Sequence, residues 1–166
     1  MFNTQLRTLK VEVSRLAEEG LEEALGLMRA FYAHEAFAFD PESSGRMLLH
    51  LLAHPAVGAV FLARGNGRAL GYLVLTRCYS LEFGGPFVLL DEIFVLPEAQ
   101  GRGLGKRLLD TAAAYCRESG SGYLRLEVQT KNLRALEVYR AYGFSTETRF
   151  LLSLPLSLGN RRADAH

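Results

Sequence analysis

The hexapeptide Gln100-Gly101-Arg102-Gly103-Leu104-Gly105 lies between an apolar run and the start of an amphipathic helix. A glycine-rich turn at a helix start presents backbone N–H groups that have no acceptor within the helix, and the helix dipole adds partial positive charge. Such a turn binds phosphate. Arg102, Lys106 and Arg107 reinforce the anion preference from the same stretch. Upstream, Glu92 stands among the apolar residues of Phe87 to Leu96, and downstream Tyr139 sits on a helical segment. A carboxylate can take a proton and a phenol can give one, so both are residue types able to move protons.

Spacing narrows the phosphate chemistry. A Walker loop requires Gly-x-x-x-x-Gly-Lys-[Ser/Thr]. Here Gly105-Lys106 fits, but Gln100 occupies the first glycine position and Arg107 replaces the magnesium-binding hydroxyl. The dinucleotide fingerprint Gly-x-Gly-x-x-Gly fails as well, because Gly101, Gly103 and Gly105 alternate. Gln100, Gly103 and Gly105 instead match the Gln/Arg-x-x-Gly-x-Gly/Ala loop, and the chain here resembles the GCN5-related N-acetyltransferase (GNAT) superfamily. A second stretch extends the resemblance. Asn132, Ala135, Tyr139 and Gly143-Phe144 are similar to the acetyltransferase pattern Asn-x-x-Ala-x-x-x-Tyr-x-x-x-Gly-Phe. The likeness covers Leu9 to Leu154 and is specific from Leu70 onward. Tyr79 to Gly85, followed by Leu90 to Val95, looks like the diamine and small-amine branch.

The resemblance implies acetyl transfer from acetyl-coenzyme A directly to a primary amine of a small molecule or peptide, through a ternary complex. A non-catalytic acyl-coenzyme A sensor is the alternative; it would keep the turn but need neither Glu92 nor Tyr139. An amine of pKa ~10.4 costs about 4.6 kcal/mol to deprotonate at pH 7. Glu92 is the expected base, acting directly or through water, or else a carboxylate that only holds a neighbour. Asp91 points to the opposite side of a regular strand, and only a bulge would bring both carboxylates together. Tyr139 is expected at the cofactor sulfur, with amphipathic packing as its plainer role. Tyr142 does not match, because Tyr139 alone precedes Gly143 by the family's interval.

The resemblance also implies the cofactor contacts. Ile93, Phe94 and Val95 would pair through backbone with pantetheine, and Gln100, Gly101, Arg102, Gly103, Leu104, Gly105 and Lys106 would hold the pyrophosphate. Asn132 would meet the pantetheine or phosphate arm, or cap its helix. Glu82, Glu35 and Tyr79 are assigned to the acceptor side, Glu82 to draw a cationic amine or serve as another base.

These residues must be held by an α/β domain. Leu9 to Val13 reads as an edge strand, and Leu21 to Phe39 as an amphipathic helix. Ser43 or Ser44 can cap a second helix that runs to Ala53. Val57–Arg64 and Ala69–Tyr79 form a hairpin about Gly65-Asn66-Gly67. The strand Phe87–Leu96 precedes a helix starting near Gly103, whose Leu104, Leu108, Ala112 and Cys116 share one stripe. Tyr123–Val128 is a strand, Leu133–Tyr142 a helix, and Phe144–Leu154 a last strand. The expected architecture is the GNAT fold: a mostly antiparallel mixed sheet, splayed at its fourth strand and flanked by helices. Residues 1–157 form one domain on this reading, and 158–166 a disordered tail.

Composition sets outer bounds. A chain of 166 residues reads as a single domain with a real core. A net charge of +1 gives no bulk attraction to nucleic acid or to an anionic membrane. Met1 to Lys10 lacks an apolar leader core, so a cytoplasmic location is expected. Cys78 and Cys116 read as reduced thiols. His50 and His54, at helical spacing, are half a metal site without partners, and no metal is expected. The superfamily's habit suggests a homodimer.

Overall fold

The computed structural model describes residues 10–156. The expected tail at 158–166 and the first residues of the chain lie outside that range. Five strands form one sheet in chain order: β1 (Val11–Arg15), β2 (Gly58–Gly65), β3 (Arg68–Ser80), β4 (Gly85–Val95) and β5 (Leu124–Leu126). The first three junctions are antiparallel, and β4 with β5 is parallel. Four helices flank the sheet: α1 (Leu21–His34), α2 (Pro41–Ala53), α3 (Leu104–Glu118) and α4 (Leu133–Tyr142).

Alternation along the strands supplies two apolar faces. Tyr72, Val74 and Phe94 pack with Leu27, Met28 and Leu48 beneath α1 and α2. Leu73, Leu75, Val88 and Leu90 pack with Leu104, Leu108, Leu109 and Ala112 of α3 on the other face. The sheet is thus buried from both sides, which fits the almost unbroken apolar character of β3.

The β2–β3 hairpin closes through Asn66 and Gly67, with φ of 52° and 83°, as a two-residue turn requires at both positions. Other boundaries differ from the sequence reading. Helix α1 stops at His34 rather than Phe39, since Ala36 takes a φ of 57° that a helix cannot carry. Asp40, not Ser43 or Ser44, caps α2, accepting from the N–H groups of Glu42 and Ser43, and Pro41 fits the first turn.

The last expected strand is absent. Residues 144–154 form no ladder, and Phe150, Leu152 and Leu154 stand 97%, 88% and 81% exposed. Apolar content suggested a strand there, but a strand needs an edge to pair with. The edge beside it is β5, only three residues long and shorter than the expected Tyr123–Val128.

Candidate active site

Strands β4 and β5 pair only from Val88 to Leu90, against Leu124 to Leu126. Beyond Leu90 they part, and a cleft of about 440 Å³ opens between them. Residues 89–95 of β4 line one side; Glu127, Val128, Gln129, Asn132, Ala135 and Tyr139 line the other. The end of α1 and the loop after it add Phe31, His34, Glu35 and Phe37. The volume suits a small ligand or one arm of a larger one.

Where the strands part, β4 carries one residue more than β3. Val74 faces Glu92, while the next residue, Leu75, faces Leu90. Asp91 is the extra residue of a β-bulge, which bends the strand. The bulge also moves the face pattern along by one. Leu90 belongs to the core under α3, whereas Phe94, like Tyr72 and Val74, packs under α1. Asp91 and Glu92 both line the cleft at this bulge.

Glu92 is half-buried and held at both oxygens. The Tyr32 hydroxyl donates to Oε1 at 2.8 Å, and the Tyr72 hydroxyl donates to Oε2 at 2.7 Å. Burial, and after it the neighbouring Glu92 carboxylate, keep the Tyr72 proton bound far above the ordinary phenol range. Sequence reading missed both tyrosines. Each sits at an apolar position of a helix or strand pattern, where an aromatic residue signals packing before chemistry.

Tyr139 is half-buried on α4, edge-on to Phe144 with ring centres 5.8 Å apart. Burial raises its proton affinity, so at neutral pH it is a phenol and a hydrogen-bond donor. Tyr142 turns elsewhere and donates to Asp110 of α3 at 2.9 Å. Asn132 lines the cleft and also caps α4, its Oδ1 accepting from the Ala135 N–H at 3.1 Å.

The turn before α3 is open at its end. Asp40 and Asn132 cap α2 and α4, but no side chain caps α3. Its N-cap is Gly103 in the left-handed region at φ 80°, preceded by Gly101 at 73°. The first N–H groups of α3 are therefore left to an outside acceptor, which suits a phosphate. Gln100 lines the cleft and donates to the Val95 carbonyl at 3.0 Å, joining the turn to β4. Leu104 is buried in the core, so only its backbone is available to a ligand. Gly101, Arg102 and Lys106 are exposed, Gly105 is half-buried, and Lys106 pairs with Asp110 at 2.9 Å. Ile93, Phe94 and Val95 line the cleft, with the Phe94 side chain 7% exposed under α1. The turn and the cleft offer the features a pyrophosphate and an extended arm require.

The acceptor-side residues divide. Glu35 lines the cleft, where its Oε2 accepts from the Gln129 amide at 3.3 Å. Glu82, in the β3–β4 turn, and Tyr79, near the end of β3, lie outside the cleft lining. Both Glu82 oxygens accept from Arg149, and that pairing holds its carboxyl below the usual range; Tyr79 is 72% exposed. His50 and His54 stack at 4.2 Å, and the His54 ring meets the His50 carbonyl at 2.9 Å. No group of three metal-ligating side chains occurs among the described residues, and no helix among them is long and apolar enough to cross a membrane.

A mixed sheet that opens beside an uncapped glycine turn is the architecture of the acetyl-transferring GNAT enzymes, and residues 22–144 match the family described as "Acetyltransferase (GNAT) family". The chain belongs to that family. Streptothricin acetyltransferase of Streptomyces lavendulae is 41% identical over 151 residues, covering 79% of this chain and 80% of that one. The uncharacterized N-acetyltransferase YhfO of Bacillus subtilis is 29% identical over 92 residues, 55% of this chain; the match spans 62% of YhfO's length. Among solved structures, an aminoglycoside N-acetyltransferase, AAC(6')-Iy in complex with CoA, superposes with a TM-score of 0.76. That likeness is one of fold, at 21% identity over 92% of this chain and 99% of the other.

Proposed function

We propose that this protein transfers the acetyl group of acetyl-coenzyme A directly to a primary amine of a small molecule or peptide, in a ternary complex. The observation that carries the reading is the meeting of Glu92 and Tyr139 in the one cleft where β4 and β5 part. The backbone of Ile93 to Val95 and the turn from Gln100 to Lys106 are the residues to hold the cofactor, whose bound thioester supplies the activated acetyl group. Glu92 takes the ammonium proton and releases the lone pair for attack. Tyr139, kept protonated by burial, gives its proton to the departing sulfur.

The acceptor class follows from charge. Glu35, Asp91, Glu92 and Glu127 line the cleft, and neither lysine nor arginine is among the described residues that line it. A cationic amine is attracted there and an acidic acceptor repelled. Streptothricin acetyltransferase, by its name, acetylates streptothricin, and its similarity supports an acceptor other than a nucleic acid or a membrane.

Calorimetric titration of acetyl-coenzyme A, with ATP and NAD as controls, tests the cofactor. Release of free thiol against a panel of amines then tests transfer. Micromolar binding and amine-dependent thiol release are expected. Binding without transfer to any amine would favour a sensor of acyl-coenzyme A, and no binding would reject the reading.

A further inference from the structure

We propose that Tyr32 and Tyr72 are positioning residues for Glu92, a pair of phenols that fixes its carboxylate for proton transfer. The inference rests on the reading of Glu92 as the proton acceptor. Its basis is a three-residue arrangement drawn from three elements: Tyr32 of α1 on Oε1 at 2.8 Å, Tyr72 of β3 on Oε2 at 2.7 Å, and Glu92 itself beside the bulge of β4.

Both phenols are themselves held. The Tyr32 ring meets Phe31, Phe37 and Phe39 edge-on, at 5.7, 6.0 and 5.6 Å between centres. The Tyr72 ring is fully buried and lies 6.3 Å from Phe31 and 6.4 Å from Phe94. Phenylalanine would meet the same ring contacts at either position; the hydroxyls add the bonds to the carboxylate. Two donors from different directions fix the plane of the carboxylate, and a base does its work only at a set distance and angle.

The pair has a second effect. Hydrogen bonds to a carboxylate favour its charged form, so each hydroxyl helps to set the pH at which Glu92 gives up its proton. Other titratable groups bear on the same cleft: His34 and Glu35 at the end of α1, Asp91 on β4, and Glu127 and Tyr139 across the gap. All of these side chains are kept in the variants that lack a phenol oxygen.

The test is the pH profile of kcat/KM for an amine substrate in Tyr32→Phe and Tyr72→Phe. Loss of one donor to the charged form should move the acid limb upward by about one pH unit and lower kcat about tenfold, with acetyl-coenzyme A affinity unchanged. Acid limbs unmoved in both variants would overturn the proposal. Tyr72 is fully buried, so if its variant melts early, half-buried Tyr32 decides alone. Glu92→Gln separates the two levels of inference. Full activity in that variant would overturn the role of Glu92 and the pair with it. An inactive Glu92→Gln together with unmoved acid limbs would overturn the pair alone.

Discussion

The Gln129 amide donates to Oε2 of Glu35 at 3.3 Å, joining residues 94 positions apart on opposite sides of the cleft. The bond ties the end of α1 to the loop after β5. Both partners are polar and near water, so the bond is weak by itself and easily exchanged for one to a ligand. Glu35→Ala should therefore raise KM for the amine about threefold to tenfold, while leaving acetyl-coenzyme A affinity alone. Steady-state kinetics with the amine varied would reveal it; an unchanged KM would place the acceptor elsewhere.

Gly103 tests the anion site. A residue bearing Cβ at its φ of 80° costs about 1–2 kcal/mol, and a carboxylate adds repulsion to an incoming phosphate. Beyond its chain neighbours no atom lies within 4 Å of a Cβ built there, so the Cβ of a Gly103→Glu variant meets open space. Acetyl-coenzyme A binding should weaken about 100-fold or more in that variant and less in Gly103→Ala. Equal affinities by calorimetry would remove the turn from the cofactor site.

Tyr139→Phe keeps the edge-on contact with Phe144 and deletes the donor. If the phenol protonates the leaving sulfur, kcat falls about 100-fold while cofactor affinity holds. Tyr142→Phe is the control, since that hydroxyl serves Asp110. A full-rate Tyr139→Phe enzyme would leave the residue as packing.

Alkaline stability should decline in a particular way. Tyr72 and Tyr139 both hold their protons more tightly folded than unfolded, chiefly through burial. Their contribution is whole below the ordinary phenol value of 10.0 and is lost as pH climbs from there through the raised folded values. Melting temperatures should begin to fall as pH passes 9.0, where the buried Cys116 thiol starts to lose its contribution, and fall more steeply beyond 10.0, with Tyr72→Phe lessening that later slope. A level curve to pH 11 would contradict this.

What could be read from the sequence was local. Gln100 to Gly105 declares itself because spacing and helix start lie in one stretch, and Asn66-Gly67 marks its turn because two positive φ values demand those residue types. Tyr139 is told from Tyr142 by its distance to Gly143; in the structure Tyr139 lines the cleft, while the Tyr142 hydroxyl donates to Asp110. The contacts around Glu92 depend on partners far along the chain. Tyr32 and Tyr72 lie 60 and 20 residues away, and nothing in their own neighbourhoods distinguishes them from core aromatics. The bulge at Asp91 was conceivable in advance but depends on the register with β3, which one strand's sequence does not encode. The pairing of Glu82 with Arg149 is hidden from the sequence in the same way, because the two stand 67 residues apart.

The bulge has a further consequence, for insertions and deletions. Val74 faces Glu92 and Leu75 faces Leu90, so excising Asp91 leaves every other cross-strand pair of β4 in place. Each remaining side chain would keep its face, and the sheet would still fold. The strand would run straight past Leu90 instead of bending, and the gap from β5 would narrow. A chain shorter by this one residue would thus be a folded protein with a closed site, and chain length at one position would divide folding from catalysis.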